Sequence, residues 1–342
     1  MDAREIYARL DERKRTAGPK LAAAYRCEPG AFAVAEVLNP DSGLTAYQLI
    51  NDVELAFEKH YWPMLRMQLE VDADYVPDFD PVCGVCVIAA AFGCEEKYHA
   101  NEMPWAMPVL DSIAEVDHLR RPDLAKASTV QRLLNQMRWL QDRTDGRVPI
   151  ELMDLQSPFT VACQMRHYED LLMDMIDEPE RVKKLIEIIT DTTIEFCELQ
   201  RQACEVPAFP GRNFPCCGED LGICIADDSA VIPLSPDMYE EFCLPSMQRI
   251  AEAETGVFIH SCGDYLHQVD NLLRIPKLRS MQMHTGPGEI DSGPAWRKFH
   301  GKVSLWSDTN DVSLGDAYRG NRYWECYERY VLPRLLEVGV DG

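Results

Sequence analysis

The stretch Gly256-Val257-Phe258-Ile259-His260-Ser261-Cys262-Gly263 reads as a buried strand running into two metal-ligand residue types. Val257 to Ile259 is short, apolar and β-rich, the pattern of a parallel strand covered on both faces. Side chains two apart in an extended segment point to the same side. The imidazole of His260 and the thiol of Cys262 therefore converge at the carboxyl end of the strand, where parallel α/β folds carry their chemistry. Zinc suits that donor pair best. A lone His-x-Cys also fits a buried polar pair at a strand end, and a metal centre needs a further ligand from elsewhere in the chain.

Six other segments have the character of strands: Ala31–Leu38, Tyr75–Phe79, Val148–Leu152, Gly222–Ala226, Arg279–His284 and Val303–Trp306. Most are separated by helical patterns. Thr45 caps an expected helix to about Leu69, with Leu49, Val53, Phe57 and Leu65 on one stripe. Val82–Phe92 reads as a buried, Ala-rich helix ending at Gly93, residues 94–111 as irregular, and Ile113–Gln141 as helical again. Val182, Leu185, Ile186, Ile189 and Phe196 recur at helical spacing, and Pro207–Pro215 reads as a loop. Ser235-Pro236-Asp237 opens a helix to about Glu254, bent at Pro245, and a last helix ends near Leu336. Strands alternating with helices predict a parallel α/β fold. Residues 1–30 form a charged helical segment broken at Gly18-Pro19, and 31–342 are expected to be one domain. Seven strands fall one short of a barrel, and Val338-Gly339-Val340-Asp341-Gly342 reads as the turn into another, so a last strand is expected beyond this sequence. The phosphate-binding glycine fingerprint and the Walker A motif are absent.

The 342 residues carry 34 basic against 57 acidic side chains, a net charge of −23. Such a surface repels phosphate backbones and anionic lipid, which argues against nucleic acid and membrane as partners. No run of about 18 apolar residues occurs, and the charged start Met1-Asp2-Ala3-Arg4-Glu5 lacks a signal-peptide core. With no secretory signal, the 13 cysteines, many of them inside apolar stretches, read as free thiols of a cytoplasmic protein.

Asp227-Asp228, then Leu234-Ser235-Pro236-Asp237-Met238-Tyr239, Leu244-Pro245 and Ile259-His260-Ser261-Cys262-Gly263 together resemble the uroporphyrinogen decarboxylase superfamily. Weaker echoes lie in Gln156-Ser157-Pro158-Phe159-Thr160 and between Asp78 and Gly93. The resemblance implies a (β/α)8 TIM-type barrel with its active site at the carboxyl ends of the strands. It also implies one of two chemistries. The decarboxylases grip tetrapyrrole carboxylates with an arginine-rich stretch at the first strand, whereas residues 31–60 here hold no arginine and a single lysine, Lys59. Carboxylate recognition favours bidentate cations, so this departure points to the corrinoid-dependent methyltransferase branch. There the resemblance implies zinc held by His-x-Cys and a later cysteine, with the corrinoid arriving on a separate protein. His260 and Cys262 match the first two positions. Cys326 is the remaining later cysteine; it falls in the helical pattern Tyr323–Leu336, where a core role competes with a ligand role.

Asp227 and Asp228 are candidates to orient a ligand or to support His260, against the alternative of a solvated strand end. Asp78, His284 and Asp308, at strand ends, and Phe159, as an aromatic wall, are candidate substrate-binding residues. Cys83-x-x-Cys86 and Cys216-Cys217 read as core thiols, since no second C-x-x-C completes a zinc site. The expected activity is methyl transfer between a small methylated substrate or thiol and a corrinoid cobalt. A tetrapyrrole decarboxylase and a ligand-binding barrel without turnover are the alternatives.

Overall fold

Val257–His260 lies inside a parallel sheet, as its apolar run predicts. The computed structural model describes residues 1–29, 31, 33, 42–71, 73–99, 102–153, 155–205, 207–208, 214–261, 263–284, 298–299 and 301–308. Its strands are β1 (Glu95–His99), β2 (Glu102–Met107), β3 (Ile150–Glu151), β4 (Leu155–Gln156), β5 (Pro207–Ala208), β6 (Ile223–Ala226), β7 (Val257–His260), β8 (Leu278–His284) and β9 (Ser304–Asp308). Strands β4-β6-β7-β8-β9 form one sheet in that order, with every pairing parallel. A second parallel run joins Phe79 to Ile150 and β3 to β5. Neighbours in each run follow chain order, as expected of an α/β fold built from parallel strands. Among the described residues the two runs are not hydrogen-bonded into a closed ring.

The alternation of side chains divides the sheet into two faces. Ile223, Ile225, Val257, Ile259 and Met281 pack with the helices, including Leu244, Met247 and Ile250 of the Leu244–Ala253 helix. Cys224 and Phe258, the intervening residues, join a separate cluster with Leu21, Ala22, Tyr25, Tyr75 and Phe214. Tyr25 and Phe214 both meet the Phe258 ring edge-on, at 4.9 and 5.3 Å between centroids, and the Tyr25 hydroxyl donates to Pro215 O at 2.8 Å. The helix Gly18–Tyr25 thus covers the inner face, the one turned away from the outer helices. His260 has the parity of Phe258 and shares that face.

Several elements depart from expectation for local reasons. Residues 94–111 contain the antiparallel hairpin β1–β2. The expected 45–69 helix is broken at Asp52, whose φ of −130° is non-helical and whose carboxylate caps Leu55 N. It continues through a five-residue π-helical turn, Phe57–Tyr61, into Trp62–Gln68. The helix expected from Val82 starts only at Val87: Gly84 has φ +76°, and a Cβ there would lie 2.8 Å from Pro104 of the hairpin. The expected 113–141 helix is a short 3-10 turn at Ile113–Asp117 and a helix at Ser128–Arg143. The expected strand 148–152 is reduced to β3, β4 follows it as a separate short strand, and β5 lies where a loop was expected. The Ser235–Glu254 helix is two helices meeting at Cys243, because Pro245 occupies the first turn of the second. The expected strand Ala31–Leu38, the helix Tyr323–Leu336 and the expected further strand beyond Gly342 fall outside the described residues. No described helix is long and apolar enough to cross a membrane.

Candidate functional site

His260 ends β7 half-buried, and register sets it beside Gln282 of β8, since Ile259 pairs with Met281. The His260 Nδ1 hydrogen-bonds the side-chain oxygen of Gln282, an amide that is itself buried. A neutral imidazole that donates from Nδ1 is in the tautomer that binds a ligand through Nε2. Cys262 and Cys326 lie outside the described residues, and among those described no group of three His, Cys, Asp or Glu side chains is placed to hold a metal ion. A metal centre at this position would be held by His260 together with Cys262 and one later residue. His284 and Asp308 are paired in register across β8 and β9, so the backbone brings these two candidates together at adjacent strand ends.

Asp227 follows β6 and turns to the opposite side from His260, whose register partner is Ala226. It is fully buried. Its Oδ2 accepts from the Tyr239 hydroxyl at 2.9 Å, its backbone N–H donates to His260 O at 3.2 Å, and its Oδ1 has no hydrogen-bond partner among the described residues. Burial pushes its pKa up to about 7, against the pull of the Ser157 and Tyr239 hydroxyls. Its charge in turn helps raise the Cys163 and Cys243 thiols, which places it under the layer formed by the Pro158–Met165 and Pro236–Phe242 helices. Asp228, half-buried, is the first residue of a four-residue helix. Phe159 is buried in the helix-side core, one residue into the helix that Ser157 caps through Thr160 N. Tyr239, the carboxylate's partner, stands in the Leu234–Tyr239 stretch that carries the family resemblance, but nothing in the sequence pairs it with Asp227.

Asp78 is also buried, and its pKa is pushed up to about 7 by that burial. Hydrogen bonds to Glu151 and Cys216 pull it down, and Asp80 pushes it up. Its neighbour Phe79 packs against Phe57 and Tyr61, so Asp78 turns the other way, towards Glu151 of β3. Two carboxyl groups in one buried hydrogen bond share a proton, because both cannot be ionised at that separation in a low dielectric. Glu151 was not readable as a site residue, since an acid inside an otherwise apolar strand has no motif around it. The 11 described cysteines are all free, and the buried ones are held as thiols by burial: Cys83, Cys197, Cys216 and Cys243 are raised well above the usual thiol range.

A sequence model of the family described as uroporphyrinogen decarboxylase (URO-D) matches residues 41–209. The match makes the chain similar to the uroporphyrinogen decarboxylase superfamily over just under half of its length. It is 29% identical over 180 residues to the uroporphyrinogen decarboxylase of Xanthomonas axonopodis pv. citri, covering 50% of this chain and 45% of that protein. With the enzyme of Syntrophotalea carbinolica it shares 31% over 156 residues, 44% of this chain and 40% of the other. The chain thus spans less than half the length of the curated relatives it matches. Among solved structures it is similar to a methyltransferase from Methanosarcina mazei, with a TM-score of 0.64 and 17% identity over 85% of this chain and 82% of that one. At that identity the likeness is one of fold.

Of the candidate residues, Asp78, Glu151 and Phe159 lie inside the span matched by the family, and His260, Gln282 and Asp227 lie beyond it.

Proposed function

We propose that this protein is a zinc-dependent methyltransferase that moves a methyl group between a small substrate and the cobalt of a separate corrinoid protein. The observation that carries the reading is His260: a strand-end imidazole on the inner face, with Nδ1 engaged by Gln282 and a cysteine two residues on in the sequence. His260, Cys262 and Cys326 are the proposed zinc ligands. Bound zinc would lower the pKa of a thiol substrate and make it a nucleophile towards a cobalt-bound methyl group, or polarise the leaving atom of a methyl donor. The protein's own part is to hold the imidazole in one orientation beside the strand ends. Asp227, tied to the His260 backbone on one side and to Tyr239 on the other, is proposed to fix that strand end. His284 and Asp308, at paired strand ends, and Asp78, beside Glu151, are proposed to face the substrate. That the similar structure from Methanosarcina mazei is a methyltransferase supports this reading.

A tetrapyrrole decarboxylase is the second reading, favoured by the names of the curated relatives. The absence of arginine from residues 31–60 weighs against it, because a polycarboxylate substrate needs cationic partners. Two assays separate the readings. Methyl-corrinoid consumption in the presence of candidate thiols, followed by the cobalt absorbance, is expected to proceed and to stop in His260→Ala. Decarboxylation of a porphyrinogen with no corrinoid turnover would overturn the proposal.

A further inference from the structure

We propose that the exposed face of the β1–β2 hairpin is a self-association surface, on which a second copy of this chain docks about a two-fold axis running along the strands. Exposed apolar side chains gather there. Of the eight large apolar side chains that are exposed among the described residues, Trp105, Met107 and Val109 stand on β2 or just past it, and Tyr47 and Val85 flank the hairpin. Tyr47 meets the Tyr98 ring edge-on at 5.1 Å, and Val85 follows Gly84, which packs against Pro104. Trp105 is 62% exposed, Met107 40% and Val109 39%. Together the five expose on the order of 400 Å2, the size of patch that marks interaction sites on soluble proteins. The opposite face is fastened to the body. Glu96 accepts two N–H bonds from Arg132, both at 2.8 Å, the Tyr98 hydroxyl accepts from the Asn51 amide at 3.3 Å, and Pro104 is buried. The exposed face is therefore presented by a braced platform, which lowers the ordering cost of docking.

Charge and register identify the occupant. Two copies of a chain with a net charge of −23 repel each other, so contact is favoured where charge is locally balanced. On this face Lys97 and His99 stand beside Glu95 and Glu102, all four exposed. Lys97 pairs in register with Trp105, and a register shift then sets His99 opposite Glu102. The His99 and Trp105 rings lie 6.5 Å apart on the same side. A two-fold axis parallel to the strands exchanges the two rows, so each residue faces the copy of its own cross-strand partner. Lys97 then lies over the second copy's Trp105 as a cation–π contact. His99 meets the second copy's Glu102, and both contacts recur on the other side of the axis. The five apolar residues supply about half of the roughly 800 Å2 that each subunit of a stable complex buries, and the charged residues supply a rim.

Sedimentation velocity of the full chain over a micromolar concentration series tests the inference. The wild type is expected to run at twice the mass of one chain. Trp105→Glu is expected to run as a single chain with an unchanged far-ultraviolet circular dichroism spectrum. Lys97→Ala, a milder change at an exposed position, is expected to raise the dissociation constant of the dimer about 2- to 30-fold through loss of the cation–π contact. Met173→Glu alters an exposed apolar side chain of the Tyr168–Asp177 helix, away from the hairpin in the sequence, and is expected to stay dimeric. Four outcomes overturn the inference: a wild type that sediments as one chain throughout the series, a dimer that Trp105→Glu leaves intact, an unshifted dissociation constant in Lys97→Ala, or a dimer lost equally in Met173→Glu. None of them bears on the methyl-transfer reading.

Discussion

Two buried carboxyls, Asp78 and Asp227, have their ionisation displaced by burial. Both are pushed up to about 7 by burial. An acid whose folded pKa lies above its unfolded value binds more protons when folded, so its contribution to stability falls as pH rises from the unfolded to the folded pKa. For Asp78 the window runs from its ordinary value of 3.8 to about 7. Asp78→Asn, neutral at every pH, is therefore expected to lose less stability than wild type between about pH 4 and pH 7.5, by on the order of 2–4 kcal/mol in urea unfolding. An identical pH dependence in both proteins would show that Asp78 does not titrate in this window. Tyr239→Phe removes the donor to Asp227 Oδ2 and leaves a buried carboxyl without it. The expected loss is about 1–3 kcal/mol in the same assay at neutral pH, and no measurable change would remove the Asp227–Tyr239 contact from the account.

Strands β6 and β7 were readable because each is a short, largely apolar run bounded by turn residues, and β8 because Met281 and Met283 alternate with polar residues. The hairpin β1–β2 was not. Glu95, Glu96 and Lys97 make β1 charged, and β2 carries Pro104 and leaves Trp105 62% exposed, so neither strand shows the alternation of buried apolar and exposed polar residues that marks a strand. β5 is two residues long and begins at a proline, which reads as loop. The site divides along the same line. His260 is legible because its spacing to Cys262 carries a chemistry, whereas Gln282 and Glu151 gain their roles only from cross-strand register, which a single sequence does not contain. The junction of β6 and β7 is set by backbone approach: Gly222 has φ +134°, and a Cβ on it would lie 2.1 Å from Gly256 O. Gly222→Ala is expected to destabilise the fold by more than about 2 kcal/mol, read as a lowered thermal midpoint; a midpoint equal to wild type would place that contact wrongly.

At the scale of the molecule, helices outside and the Gly18–Tyr25 helix inside leave the carboxyl ends of β6 to β9 as the place where His260, Gln282, His284 and Asp308 gather. The superfamily resemblance read from Asp227–Gly263 agrees with the family match, although that match covers residues 41–209 and not the stretch that first pointed to it. Phe258 ties β7 to the Gly18–Tyr25 helix by packing on Tyr25, and it also packs on Phe214, so Phe258→Ala is expected to cost about 3–5 kcal/mol. The central claim is that His260 is a zinc ligand. Metal analysis of the full-length protein, purified without added metal and compared with His260→Ala, tests it most directly. About one zinc per chain in wild type and a large loss in the variant are predicted; no zinc in the wild-type protein, or equal zinc in both, would contradict it.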